Sequence, residues 1–394
     1  MAIKGKNIGI DARFLLRPLR GMPLYVMHLC EHIPALAKDC TFYLFINKGF
    51  EHNDSIENYM PRLELIQRKN ENVKIINFDD DAEIMWEQFY LPRLIKKHKI
   101  DLLHMPANRI CFFPGVPTII TVHDIMEYLR LLDEKFSFLF KKNRSLREIL
   151  YDLRQRIYVM LSYKYKLNIA SSIITVSNYS KHDIKNSLHI DFNKIKAIYH
   201  GVDEEYFKIQ SLPFYNRTHV LLLGGDSSKK NPETAIAAWS RVSREIREKF
   251  PLKIVGFCGS TSSPILHAIK KYGLEDEVDI KGWVSQKDMM EYFQRAVLFL
   301  FPSRHEGFGF PLIQAMATGT PVISTNQASI PEVLDNVGFQ LDPDDIKSFS
   351  ESIEKVLMDY SFWQKQSDLG LARSAIFTWE NSIKAHYEEY LRQL

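Results

Sequence analysis

Short apolar runs that each end in a small or polar residue recur along this chain, separated by stretches of helical period, and that alternation leaves few folds open. "NIGIDA", "TFYLFI", "VKIINF", "DLLHM", "TIITVHD" and "SIITVS" have strand length and β-branched content. Between them lie segments such as "LYVMHLCEHIPALAK" and "WEQFYLPRLIKKHK", which read as helices. Strands interleaved with helices make a parallel sheet covered on both faces, an α/β unit. After "IKAIYHGVDEEYFKIQSLPFYNRT" the pattern restarts with "HVLLLGG", "KIVGFCG", "VDIKGW", "VLFLFPS", "TPVIST" and "GFQLD". The expected fold is therefore α/β with two doubly wound halves: a first domain over residues 1–203, a linker over 204–217, a second domain over 218–375, and a C-terminal helix over 376–394. No sequence repeat relates the halves; their likeness is one of architecture.

Length agrees, since 394 residues exceed what one core usually covers. The formal charge of +3 is too mild to make nucleic acid the main partner. No run approaches the roughly 20 apolar residues of a membrane span, and the opening "MAIKGKNIGIDARF" has no apolar stretch before Asp11, so a cytoplasmic chain is expected. Cys30, Cys40, Cys111 and Cys258 are scattered without C-x-x-C spacing, which suits reduced, buried thiols.

Open α/β sheets bind ligands at the carboxyl ends of their strands, and two such halves would hold a ligand between them. Four strand ends stand out. In "DARFLLRPLRGMPLY" a loop with Arg13, Arg17, Arg20 and Gly21 leads into a helix, where a glycine lets backbone approach a phosphate; an ordinary loop reads the same way. In "TIITVHD", His123 sits just past the apolar run, either facing the ligand or satisfied structurally. In "VLLLGGDSSKKNPETAIAAW", Lys229 and Lys230 precede a helix start, as a diphosphate requires, although solvated lysines look alike. In "PSRHEGFGFPLIQAMATGTPVIST", the carboxylate Glu306, a glycine-flexed loop and a helix N-terminus fall within ten residues. That combination of hydroxyl acceptor and phosphate donors suits a sugar linked to a diphosphate.

These residues resemble glycosyltransferase family 4, retaining enzymes of the GT-B fold. The signature "RHEGFGFPLIQAMATGTPVIST" followed by "IPEVLDNVGFQLDPDD" carries the likeness, and "GGDSSKKNPETAIAAW", "IYHGVDEEYF", "TVHD" and the first loop match in order. Through "IGIDARFL" and "TVHDIM" the first half is similar to the mannosyltransferases of O-antigen assembly. The resemblance implies two Rossmann-like domains facing across a cleft, the first taking the acceptor, the second a nucleotide-sugar donor, and the last helix packing back on the first. It implies that Glu306 accepts from donor-sugar hydroxyls and that backbone around Phe308, Gly309, Phe310, Pro311 and Leu312 holds sugar and diphosphate. Lys230, helped by Lys229, would neutralise the departing diphosphate. Gly21 would cover the phosphates, His123 touch the transferred sugar, and Val284 border the base. Where the family often has an arginine before the lysine pair, this chain has Gly224 and Gly225.

A retaining transfer without an enzymic nucleophile implies a front-face reaction, in which the leaving diphosphate helps deprotonate the acceptor hydroxyl. No cofactor and no metal is expected, with Lys230 and the helix end supplying positive potential. Asp79 and Asp81 in "NFDDDAEI" offer a rival D-x-D metal clamp, but that reading leaves the second half unexplained. The family usually has a second glutamate where this chain has Gln314. An amide keeps one acceptor and gains a donor, so it suits a weakened ribose contact, a deoxyribose nucleotide such as a dTDP-sugar, or a catalytically inactive partner subunit. Finally, "KFSFLFKKNRSLREILYDLRQRIYVMLSYKYK", Lys135 to Lys166, interleaves basic and apolar residues. It would suit the anionic inner face of the plasma membrane, beside a lipid-linked acceptor.

Overall fold

The structure is a computed structural model, which describes residues 4–47, 59–78, 83–134, 145–225, 227, 229–257, 259 and 263–394. Asp79, Asp81, Cys258 and residues 135–144 lie outside the described residues. The chain divides into two compact units, one formed by Met1–Tyr199 with Glu380–Leu394 and the other by His200–Trp379.

In the first unit, seven strands run β1 (Asn7–Asp11), β2 (Thr41–Asn47), β3 (Val73–Phe78), β4 (Leu102–Met105), β5 (Thr118–Val122), β6 (Ser172–Thr175) and β7 (Ile195–Ala197). They pair in parallel in the order β3-β2-β1-β4-β5-β6-β7. In the second unit, β8 (His219–Leu223), β9 (Leu252–Val255), β10 (Val278–Lys281), β11 (Ala296–Phe301), β12 (Val322–Thr325) and β13 (Phe339–Leu341) pair in parallel as β10-β9-β8-β11-β12-β13. Each order reverses direction once, between β1 and β4 and between β8 and β11. At such a switch the connecting helices leave to opposite faces and open a crevice at the strand ends.

All but one of these strands coincide with an apolar run read from the sequence; β7 is the exception. Its three residues sit inside "NKIKAIYHG", too short for a periodic signal, and they pair at the sheet edge with β6. Apolar faces of the helices close over each sheet. Phe45, Trp86, Leu103, Ile120 and Ile173 lie in the first core, and Leu222, Trp239, Leu300, Phe349 and Trp363 in the second.

Two features of the second unit fix chain segments rather than layers. Arg217 is buried and donates to the carbonyls of Leu212, Ala296, Thr318 and Gly319 and to the hydroxyls of Ser211 and Thr320, tying the linker to the turn after the helix Phe310–Ala317. Burial without a carboxylate partner pulls its pKa down to about 9. Near the unit's start, Val202 bridges Thr378 in parallel and donates its amide to Phe377 O at 2.9 Å. The approach is so close that a Cβ on Gly201 would fall 2.1 Å from the Trp379 nitrogen.

Candidate active site

The switch between β8 and β11 decides where Lys230 and Glu306 meet. One follows β8 and the other follows β11, so adjacent strand ends deliver an ammonium and a carboxylate to one place. Lys230 Nζ donates to Glu306 Oε1 at 2.7 Å, with the lysine side chain about a third exposed and the glutamate mostly covered. The lysine stem crosses Gly225, where an added Cβ would sit 3.0 Å from Lys230 Cγ, and its ammonium lies 5.3 Å from the centre of the Phe301 ring.

The segments that carry both side chains are held by groups the sequence reading passed over. Asn231, directly after Lys230, is buried in the left-handed region at φ 52°, a conformation asparagine tolerates better than most residues. Its amide donates to Pro302 O at 3.2 Å and Pro343 O at 2.9 Å, and its oxygen accepts from Thr234 and Arg304. Arg304 also pairs with Asp344, and its amide donates to Lys229 O. The loop carrying Glu306 is held from β12 and the turn beyond it. Ser324 donates to Phe301 O, Thr325 to Ser303 O, and Ser329 to both Glu306 O and Phe308 O. The signal was present in "VISTNQAS", but hydroxyls in a strand do not announce which carbonyl they will meet.

Gly309 turns the loop into the helix at φ 99°, a left-handed geometry in which a side chain would be strained. Pro311 occupies the first turn, where a missing N–H costs least. Leu312 is buried and its amide already donates to Gly309 O at 2.9 Å, so its backbone is committed inside the turn. Phe310 stacks on His200 with ring centres 4.4 Å apart, and Phe308 meets His200 edge-on. Gln314 stands one turn after Phe310 on the half-exposed face, while Leu312, Ile313, Ala315 and Met316 face the core. Val284 is half-buried beyond β10, between the exposed Trp283 and Ser285, which caps the next helix.

The first unit holds Gly21 and His123. Gly21, at φ 51°, caps the helix Met22–Leu36 and accepts from the Tyr25 amide. Arg13 does not serve that loop's ligand face. It is buried in a short 3-10 turn, pairs with Asp11 and Glu87 at 2.7 Å each, and so spends its charge internally. His123 follows β5, is buried, and donates from Nε2 to Pro106 O at 3.0 Å; burial pushes its pKa down to about 4, so it is neutral and its Nδ1 is the accepting nitrogen. The structure thus joins Lys229, Lys230, Glu306, Phe308, Gly309, Phe310, Pro311, Leu312 and Gln314 around one strand switch, with Val284 in the loop after β10 of the same sheet and Gly21 and His123 in the other unit. Among the described residues, no group of three His, Cys, Asp or Glu is placed to hold a metal ion.

Two family models divide the chain between them, "Glycosyltransferase Family 4" matching residues 19–206 and "Glycosyl transferases group 1" matching residues 203–371. The chain belongs to glycosyltransferase family 4. Its relatives include the O-antigen chain mannosyltransferase B of Escherichia coli, 28% identical over 57% of this chain and 61% of that protein. Another is the O-antigen chain mannosyltransferase RfbU of Salmonella typhimurium, 30% identical over 51% of this chain and 55% of that protein. The match thus spans less than two thirds of these relatives' length. Among solved structures, sucrose-phosphate synthase from Thermosynechococcus elongatus superposes with a TM-score of 0.71 at 18% identity, covering 98% of both chains. HepE of Anabaena, solved in complex with UDP and glucose, reaches 0.67 at 16% identity over 99% of this chain and all of that one. The family-4 chain has the GT-B fold, two doubly wound α/β units.

Burial pushes His219 and His386, like His123, down to about 4, and holds His104 well below the ordinary imidazole value. The folded chain keeps these imidazoles neutral while the unfolded chain protonates them below about pH 6.5. Their stabilisation is therefore complete above that pH and is lost as pH falls through 6.5 towards 4. Urea unfolding should be less favourable to the folded chain at pH 5 than at pH 7 by roughly 2 kcal/mol for each of His123, His219 and His386; equal values would mean that the imidazoles are not held neutral.

Proposed function

We propose that this chain is a retaining glycosyltransferase that moves a hexose from a nucleotide-diphosphate sugar, GDP-mannose or a UDP-hexose, to a glycan or lipid-linked acceptor in surface polysaccharide assembly. The observation that carries the reading is the Lys230–Glu306 pair at the strand switch, beside a helix that starts on a left-handed glycine. A carboxylate accepts sugar hydroxyls, an ammonium and helix amides take phosphate oxygens, and both lie within one ligand's length. The mannosyltransferase relatives support the choice of sugar and pathway.

In the reaction, the bond from the anomeric carbon to the diphosphate oxygen breaks and the bond to the acceptor oxygen forms on the same face. The acceptor proton passes to the leaving diphosphate. Lys230, shared between Glu306 and the diphosphate, would stabilise the charge that develops there, with Lys229 near and the helix dipole in line, so no metal and no separate cofactor is required. Glu306 would orient the sugar, and the amides near Gly309 and Phe310 would hold the phosphates. His123, neutral with Nδ1 accepting, would take a hydrogen bond from a sugar hydroxyl. Gly21 would let backbone approach the phosphates and Val284 would border the base.

The test begins with hydrolysis of GDP-mannose, UDP-glucose and a dTDP-hexose without acceptor. Lys230→Ala should lower turnover by roughly 100-fold, the scale for losing one preorganised electrostatic group. Unchanged turnover sinks the assignment, and hydrolysis of none of the three would favour an inactive partner subunit.

Gln314 gives a second measurement. If it contacts the ribose with one acceptor, Gln314→Glu should tighten a ribonucleotide donor by about 1 kcal/mol, or several-fold. A site suited to deoxyribose would instead prefer the 2'-deoxy analogue of the same base, and the substitution would erode that preference. Equal binding of both forms by both proteins removes Gln314 from the ribose.

A peripheral membrane location rests on the helix Leu146–Met160. Leu146, Leu150, Leu153, Ile157 and Met160 are all exposed at spacings of three and four, one stripe along the helix, flanked by exposed Arg147 and Arg154 and followed by Lys164. An apolar stripe bordered by cations suits an anionic bilayer surface. The protein should sediment with phosphatidylglycerol vesicles, less so at 0.5 M salt, and Leu150→Asp with Ile157→Asp should abolish it. Failure to bind, or binding indifferent to salt, would count against this location.

A further inference from the structure

Beneath His123 runs a line of buried polar side chains that the proposed chemistry does not use. Tyr390 Oη lies 2.6 Å from His104 Nδ1, and His104 Nε2 lies 2.8 Å from Thr121 Oγ1. Thr121 Oγ1 lies 2.8 Å from Tyr25 Oη, Tyr25 Oη lies 2.8 Å from His386 Nε2, and His386 Nδ1 lies 2.7 Å from Ser382 O. All five side chains are at most 1% exposed. Ser382, His386 and Tyr390 recur at intervals of four on the helix Trp379–Gln393, so one face of that helix supplies both ends of the line.

The end of the line sets its direction. A carbonyl only accepts, so His386 Nδ1 carries the proton and, in the neutral ring, its Nε2 accepts from the Tyr25 hydroxyl. Tyr25 oxygen then accepts from Thr121, whose oxygen accepts from His104 Nε2–H, and His104 Nδ1 accepts from Tyr390. Each donor has its acceptor. A fully satisfied buried network specifies one arrangement, whereas a partly satisfied one is costly.

That arrangement lies directly under the candidate sugar contact. His104 and Thr121 precede Pro106 and His123 by two residues on neighbouring strands, so the His104–Thr121 bond pins the same sheet face from which His123 donates to Pro106 O. Tyr25, held at its hydroxyl from two sides, presents its ring to the His123 imidazole at 5.1 Å and 85°. Its backbone amide donates to Gly21 O at 3.1 Å.

We propose that His386 is a positioning residue for the transfer: by anchoring Tyr25 from the C-terminal helix, it fixes the His123 ring, and with it the Gly21 turn. This rests on the reading that His123 contacts the transferred sugar. Without the His386 acceptor, the Tyr25 hydroxyl loses an anchor in a buried layer, and the ring that walls His123 can tilt.

The test compares His386→Leu, which removes the acceptor, with His386→Gln, whose side-chain oxygen can still accept from Tyr25, and with Tyr25→Phe, which keeps the ring and removes its anchor. Imidazole nitrogen resonances of His123 in 15N-histidine-labelled full-length protein report its tautomer without any donor. The wild type and His386→Gln should give the single Nε2–H form, and His386→Leu and Tyr25→Phe a tautomer mixture. In turnover of GDP-mannose, or of UDP-glucose if that is what the wild type hydrolyses, His386→Leu should lower kcat roughly tenfold with KM changed less than twofold, and His386→Gln should recover most of it. In a His123→Ala background, His386→Leu should lower kcat no further. An unchanged His123 spectrum in both anchor-removing variants, or additive losses, overturns the proposal. If His123→Ala leaves turnover intact, it is the reading of His123 that fails; if His123→Ala is impaired while His386→Leu is not, only the positioning role falls.

Discussion

A carboxylate at the tip of a strand-to-helix loop is useful only if the loop has one shape, and in this protein that shape is imposed by hydroxyl groups from the next strand and the turn beyond it. Ser324, Thr325 and Ser329 each reach carbonyls of the stretch between Phe301 and Phe308. Fixing a residue's backbone costs about 1–2 kcal/mol of conformational entropy, comparable to the net worth of one hydrogen bond, so a loop of this length needs several such bonds. Asn231 does the same for the lysine side of the pair by joining Pro302 and Pro343 through one amide. Lys230 and Glu306 then meet without either backbone having to search. The positive helix start and the ion pair are thus consequences of how the sheet switch is braced.

Much of this was legible because it is local. Strand runs, the glycine that turns a loop into a helix, and a lysine pair before Asn231 and Pro232 all express preferences that act within a few residues. The two sheets and the grouping of Lys230 with Glu306 followed from placing such signals at strand ends. The short strand Ile195–Ala197 escaped because three residues carry no period and its stability comes from its neighbour.

What could not be read was pairing at long range. Tyr25 and His386 are 361 positions apart, and nothing near either residue names the other. A buried histidine in a strand looks the same whether it meets a tyrosine or a ligand. Arg13 shows the opposite failure, since its place in a cation-rich loop suggested phosphate while the fold turned it inward to Asp11 and Glu87. Burial decides such cases, and burial belongs to the folded chain.

Gly201 carries a consequence for how this chain can vary over time. The backbone of Trp379 occupies the space in which any side chain at position 201 would begin, so no substitution can be absorbed by choosing another rotamer. Relief would require the segment around Thr378 to move, and that segment is bridged to Val202 and continues directly into the helix bearing His386. A change at this one position would therefore reach sites distant from it along the chain, and the crossing keeps its shape only so long as position 201 stays bare.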